Sequence, residues 1–134
     1  MKISSKGRYA VRVMAELGKH ANEYTSVTTL SEKQGITVKY LEKILSLLTK
    51  AKLIESSRGA QGGYRLIKDA QDYSIAEILK STGDLPELAP CLSENASCPR
   101  ASCCDSLGCW EKLSALIVNY LASITLSDLL NKKF

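Results

Sequence analysis

Residues 27–54, VTTLSEKQGITVKYLEKILSLLTKAKLI, decide the fold. Glycine is a poor residue for a helix interior, and Gly35 divides this stretch into two helical patterns. The first is short, over residues 29–34, with Thr28 or Thr29 as its N-cap and Glu32 three residues after Thr29, where a capping box would reach back. The second covers residues 37–51 and repeats Leu41, Ile44, Leu45 and Leu48 at helical spacing, an apolar face for a core. A short helix, a glycine turn and a longer helix form a helix-turn-helix pattern, whose second helix offers its first residues to the major groove of DNA. Thr28, Thr37, Val38, Lys39, Tyr40, Glu42 and Lys43 are therefore expected at the DNA or its edge. Glu42 needs a separate reason, because a carboxylate repels phosphate. Accepting a hydrogen bond from cytosine N4 is one reason, and a surface ion pair with Lys39 or Lys43 is the other.

Immediately downstream, LIESSRGAQGGYRLIKD reads as a β-hairpin, with strands over residues 53–56 and 64–67 and a turn carrying Gly59, Gly62 and Gly63. A hairpin directly after a recognition helix is a wing. Its tip offers Arg58 and Gln61, and an arginine there can enter a narrow minor groove. The G-x-x-G-G spacing matches neither of the glycine-rich nucleotide-binding fingerprints.

Charge agrees with this placement. Residues 1–65 hold twelve Lys or Arg against five Asp or Glu, whereas residues 66–134 hold six against nine. Positive charge confined to the half that carries the helix-turn-helix is the footprint of a nucleic-acid reader, since phosphate neutralisation supplies most sequence-independent affinity. At 134 residues the chain fits one domain, with enough buried surface to fold without covalent staples.

Upstream, a first helix starts at Ser4 or Ser5 and turns Tyr9, Ala10, Val13, Met14 and Leu17 to the core. Lys2, Lys6, Arg8 and Arg12 gather on or before its first turns, where cations oppose the helix dipole and an anion such as DNA phosphate would relieve them. Gly18 and the polar HANEYTS stretch are expected to end this helix, leaving His20, the only histidine, exposed in a turn.

Downstream, Ser74 caps a short helix stopped by Gly83 and Pro86, and residues 84–90 form a linker. After it comes CLSENASCPRASCCDSLGCW, residues 91–110, which holds all five cysteines in a C-x6-C-x4-C-C-x4-C pattern. Thiolates at such spacing can converge on one soft metal centre. A structural zinc site shows tighter paired knuckles, so the spacing leans away from a zinc ribbon and leaves zinc and iron both open. Disulfides and simple buried thiols are the plainer alternatives. The start MKISSKGRYAVRVM lacks a signal-peptide pattern and no run reaches the length of a membrane span, so a cytoplasmic protein with reduced thiols and no membrane partner is expected. Finally Trp110, Leu113, Ile117, Tyr120 and Ile124 form a seam, broadened by Leu116 and Leu121, as in a helix that serves a homodimer. A last short helix is expected from Ser127.

Taken together, SSKGRYAVRVMAEL, SEKQGITVKYLEKIL, RGAQGGYRL, SIAEIL, the cysteine loop and WEKLSALIVNYLASITLSDLL resemble the IscR-type, or Rrf-type, winged-helix transcription regulators of bacteria over essentially the whole chain. The resemblance implies a homodimer held by the long C-terminal helix, palindromic operators and, as in many members, an iron-sulfur cluster that tunes DNA binding. It places the three loop ligands on Cys91, Cys98 and Cys104. Where the family's iron-sulfur-cluster regulator has a histidine as fourth ligand, this chain has Leu107. Cys103, Cys109 or a group from the partner's N-terminal domain are the alternatives. Where some members supply a carboxylate near the start of the chain, this one has Arg8. In relatives the residues matching Glu42 and Arg58 bear on operator choice and on the minor groove.

The expected architecture is mainly α: a winged helix-turn-helix DNA-binding domain over residues 1–83, a linker and cysteine-rich cluster-binding loop over 84–109, and a dimerisation helix with a C-terminal helix over 110–134, all in one compact unit. The expected function is a non-enzymatic transcription regulator, acting as a repressor or activator, that senses iron-sulfur status through a 2Fe-2S cluster. A thiol-disulfide sensor of the same fold is the first alternative, and a small iron-sulfur electron carrier the second.

Overall fold

The computed structural model describes Met1–Phe134. Six α-helices, two strands and three single 3-10 turns follow one another: α1 (Ser5–Lys19), α2 (Val27–Gln34), α3 (Val38–Lys50), β1 (Ile54–Ser57), β2 (Gly63–Leu66), α4 (Ile75–Ser81), α5 (Leu107–Ser123) and α6 (Leu126–Leu130), with the turns at Ala70–Asp72, Pro90–Leu92 and Ala101–Cys103.

The α3 periodicity translates directly into packing. Leu41, Ile44, Leu45 and Leu48 are completely buried and meet Ala10, Val13, Met14 and Leu17 of α1 in one core. Each such leucine contributes about 1.5–3 kcal/mol relative to exposure. Thr37 caps α3, its hydroxyl accepting from the Tyr40 N–H, and Gly35 ends α2 in the left-handed conformation at φ 65°. Ser4, the first of the two expected caps, starts α1.

Several boundaries differ from the sequence reading, α3 by one residue at each end, and four have an identifiable cause. First, α2 begins at Val27 under a Ser26 cap, and the box between Thr29 and Glu32 does not form. Thr25 pairs with Tyr64 through two 2.9 Å backbone hydrogen bonds, so the chain leaves the wing at Thr25 and the next residue becomes the cap. Second, α1 runs one residue past Gly18 to Lys19 and ends, as expected, at the polar stretch with His20 as its cap. A Cβ on Gly18 would come within 2.8 Å of Leu130, so its smallness lets α6 pack on α1.

Third, each wing strand lies one residue from its expected place. The buried Tyr73 hydroxyl donates to the Leu53 carbonyl at 2.7 Å and accepts from the N–H groups of Ile67 and Lys68, both at 2.9 Å. The hairpin ladder therefore closes at the Ile54–Leu66 pair. Fourth, α6 starts at Leu126 rather than Ser127, because Thr125 forms a capping box with Asp128.

The long helix leaves and rejoins this body. Its C-terminal end is tied down by the Ile75 N–H donating to the Ile124 carbonyl and the Leu126 N–H donating to Tyr73, and Leu126 is fully buried in the core of the N-terminal elements. Along its whole length, however, α5 has no buried residue. No helix is long and apolar enough to cross a membrane.

Candidate nucleic-acid interface and cysteine loop

The outer side of α3's first turn carries Thr37, Val38, Lys39, Glu42 and Lys43, all exposed. Val38 keeps 39% of its surface open to solvent, unusual for a β-branched aliphatic residue beside a well-filled core. Glu42 takes part in none of the chain's ion pairs, so the alternative of a pairing with Lys39 or Lys43 is absent. Tyr40 turns differently from its neighbours: its half-buried ring meets Tyr9 edge-to-face, with centroids 6.0 Å apart. Arg12 stacks over Tyr9 at 5.2 Å and donates to the side chain and carbonyl of Gln34. Arg12 and Tyr40 thus join α1, α2 and α3.

The wing tip projects Arg58 and Gln61 into solvent, while Thr28 is exposed in the first turn of α2. Two glycines make this geometry possible. A Cβ on Gly62 would fall 2.3 Å from the Ser57 carbonyl oxygen, and one on Gly63, at φ 148°, would fall 2.2 Å from that of Thr25. Between the strands, Arg65 pairs with Glu55 and stacks on Tyr24 at 4.4 Å, bracing the hairpin against the residue that precedes its third, bridged segment.

At the start of α1, Lys2 is exposed and Lys6 half-buried. Their helix is held from an unforeseen direction. The Asp84 carboxylate accepts from the Ser4 backbone N–H at 3.2 Å, and it presses so closely on Gly7 that a Cβ there would sit 2.8 Å from its own. Burial works to raise the Asp84 carboxyl, but hydrogen bonding from Ser4, aided by the Lys6 charge, outweighs it and holds the group below its ordinary range. A negative group at a helix N-terminus is also favoured by the dipole. Only the acidic residue after Gly83 hinted at this contact in the sequence, since its partner lies 80 positions away.

A second unforeseen polar junction lies at the other end of α1. Buried Glu16 accepts from Lys33 at 2.9 Å, Lys19 at 3.1 Å and Gln34 at 3.2 Å, joining α1 to α2. Here too burial alone would raise the carboxyl, and the two lysines bring it below the usual range. His20, half-exposed, caps α1 and stands 3.0 Å from the Lys33 ammonium.

The cysteines lie where the chain passes from Asp84 to α5. Cys91 is half-buried on its 3-10 turn beside Ser114, Ala115 and Val118 of α5, whereas Cys98, Cys103, Cys104 and Cys109 are exposed, and all five are free thiols. Cys109 belongs to the first turn of α5, which begins at Leu107. The segment is organised by local turns: the Ala96 N–H donates to Ser93, Ala101 to Cys98 and Cys103 to Arg100. In this arrangement no three His, Cys, Asp or Glu side chains are gathered at metal-holding distance. The donor chemistry nonetheless suits a soft metal. The Ser106 hydroxyl, 3.4 Å from the Cys104 sulfur, draws that thiol below its ordinary pKa, and the Ser106 backbone adds to the effect.

Against this geometry, residues 3–132 match the family model for Rrf2, described as an iron-dependent transcriptional regulator. The chain belongs to the Rrf2 family. Among curated Rrf2 relatives, the HTH-type transcriptional regulator IscR of Photorhabdus laumondii is 36% identical over 134 residues, covering 99% of this chain and 81% of its own. Among solved structures, T. potens IscR superposes with a TM-score of 0.76 at 33% identity, over all of this chain and 89% of that one. CymR, the global cysteine regulator of B. subtilis, superposes with a TM-score of 0.79 at 29% identity and 98% coverage of both chains. The winged-helix architecture and the role of transcriptional regulator rather than enzyme follow from this membership, and the electron-carrier alternative falls away.

Proposed function

We propose that this Rrf2-family regulator binds palindromic operator DNA as a homodimer and that its cysteine loop holds an iron-sulfur cluster, of the 2Fe-2S type, whose presence sets operator binding. The observation that carries this reading is the position of the loop. It leaves the winged helix at Asp84, whose carboxylate holds the start of α1, and returns as α5, the helix with no buried residue.

Cys91, Cys98 and Cys104 would supply thiolates, with Cys103, Cys109 or a group from the partner's N-terminal domain as fourth ligand, because Leu107 offers no donor atom. A bound cluster would supply a labile, redox-active centre. The chain's own contribution is leverage. Residues 84–90 link Asp84 to Cys91, so a change in the loop bears on the segment that holds α1, and one arrangement of the two recognition helices is favoured over another. Thr28, Thr37, Val38, Lys39, Glu42 and Lys43 face the major groove, with Tyr40 at its edge, while Arg58 and Gln61 go to the minor groove and Lys2 and Lys6 to phosphate. Half-sites then lie about one helical turn, roughly 10 bp, or a multiple of it apart.

The test is anaerobic purification with a visible spectrum and iron and sulfide analysis, on the natural chain and on Cys91→Ala, Cys98→Ala and Cys104→Ala. About two irons and two sulfides per chain, lost in each variant, are expected. DNA binding is measured separately, on a palindrome upstream of the protein's own gene, and absence of salt-dependent binding there would overturn the reading.

A second reading is favoured by Cys104, an exposed thiol drawn toward thiolate beside vicinal Cys103, and by the similarity to CymR: a thiol switch through sulfenate or disulfide formation. It predicts a colourless protein, iron-free even after anaerobic reconstitution, whose DNA binding responds reversibly to peroxide and dithiothreitol.

A further inference from the structure

The recognition helix carries more charge than its first turn requires. Lys39, Lys43, Ser46 and Lys50 recur every three or four residues, which at 3.6 residues per turn places them within an arc of about 60° around the axis. They lie opposite Leu41, Ile44, Leu45 and Leu48, the face buried in the core. Lys6, at the start of α1, stands beside the same stripe, and together with Glu42 these residues line one shallow surface groove. Lys39, Lys43 and Lys50 form no ion pair within the chain.

From Lys39 to Lys50 the helix advances roughly 16 Å at 1.5 Å per residue. The major groove is about 12 Å wide and about 8.5 Å deep. Two docking modes therefore make different use of the stripe. If α3 enters end-on, only its first turns reach the groove and Lys50 stands well clear of the duplex. If α3 lies lengthwise across the groove, its two ends arrive at the two phosphate walls and its middle, at Ser46, lies over the base edges. A lysine stripe running the full length of the exposed face is complementary to the second arrangement and superfluous in the first.

We infer that α3 docks lengthwise on duplex DNA, with Lys50 and Lys6 binding phosphates beyond those met by Lys39 and Lys43, and with short Ser46 giving the closest approach to the bases. This rests on the DNA-binding reading and adds to it a direction of docking and two residues, Ser46 and Lys50, at the interface. Lys50 has one competing role, support of the α3 C-terminal dipole, and that role affects helix stability but not the salt dependence of DNA binding.

The experiment measures the affinity of the full-length dimer for a mixed-sequence duplex of about 30 bp across about 50–200 mM salt. The variants are Lys50→Gln, Lys6→Gln, Ser46→Trp and, as control, Lys132→Gln, each with a thermal melt. Loss of one phosphate contact lowers the slope of log K against log salt by about 0.9. The expected result is that decrease for Lys50→Gln and for Lys6→Gln, loss of affinity at every salt for Ser46→Trp, and no change for Lys132→Gln. An unchanged slope for Lys50→Gln, with or without a lowered melting temperature, overturns lengthwise docking while leaving DNA binding intact. A natural chain whose affinity does not depend on salt overturns the DNA-binding reading itself.

Discussion

Two regions of this molecule answer to different constraints. Every helix of the winged-helix body turns residues into one core, and even the five-residue α6 adds the fully buried Leu126. In contrast the seventeen-residue α5 buries none, although Trp110, Leu113, Leu116 and Tyr120 lie along it. The first region is stable through its own packing, whereas the second is largely exposed apolar surface, joined to the body by the cysteine loop at its start and, toward its end, by Leu121 and Ile124 against the core and the Tyr73–Leu126 and Ile75–Ile124 hydrogen bonds. Apolar residues thus mean core in one place and exposed surface in the other, and helical periodicity alone does not separate them.

The contrast can be broken most severely in the core. Leu48→Ala should lower unfolding free energy by about 2–5 kcal/mol, read from urea denaturation. Tyr73→Phe comes next, at about 1–3 kcal/mol, because the buried Leu53 carbonyl loses its donor and the Ile67 and Lys68 N–H groups lose their acceptor.

Acid should have a smaller effect, confined to the same body. Glu16, Asp84 and Asp128 all have carboxyls held below their ordinary values of 4.5, 3.8 and 3.8. Their stabilisation is fully present above those ordinary values and is lost as pH falls through the lower folded ones. Melting temperature should therefore hold at neutral pH and decline below about pH 4, and Asp84→Asn should flatten part of that decline.

The least effect on folding is expected in α5. Leu116→Glu should leave the far-ultraviolet circular dichroism spectrum unchanged, since that residue is 59% exposed. If α5 carries the homodimer interface proposed above, the same change should convert dimer to monomer in sedimentation and weaken operator binding. A large loss of helix content instead would place α5 on the core side of the comparison.

Much of the body was legible because its signals are local. The α3 core face, the Ser4 cap of α1, the Ser74 cap of α4 and the glycine-rich wing turn each depend on residues within one or two turns of chain. The candidate site was legible in part. The exposed Thr37, Val38, Lys39, Glu42 and Lys43 are where spacing put them, whereas Tyr40 is engaged with Tyr9 and Arg12 with Gln34. Cysteine spacing identified a thiol-rich loop but not an assembled ligand set, because loop spacing says which sulfurs can meet and leaves their positions to the loop's own turns.

The sequence by itself determined the helix-turn-helix pair, the wing, the basic N-terminal half and the five-cysteine loop, since periodicity, capping and composition operate between near neighbours. Only the tertiary structure decided that Ser26 caps α2, that Gly18 admits Leu130, that Tyr73 closes the wing and that Asp84 holds the start of α1. Each of these depends on a contact absent from the nearby chain: Thr25 meets Tyr64, Gly18 meets α6, the Tyr73 hydroxyl reaches back 20 residues to Leu53, and Asp84 reaches back 80 to Ser4. Such contacts come into being when the core closes and brings distant backbone groups together, so no local pattern records them.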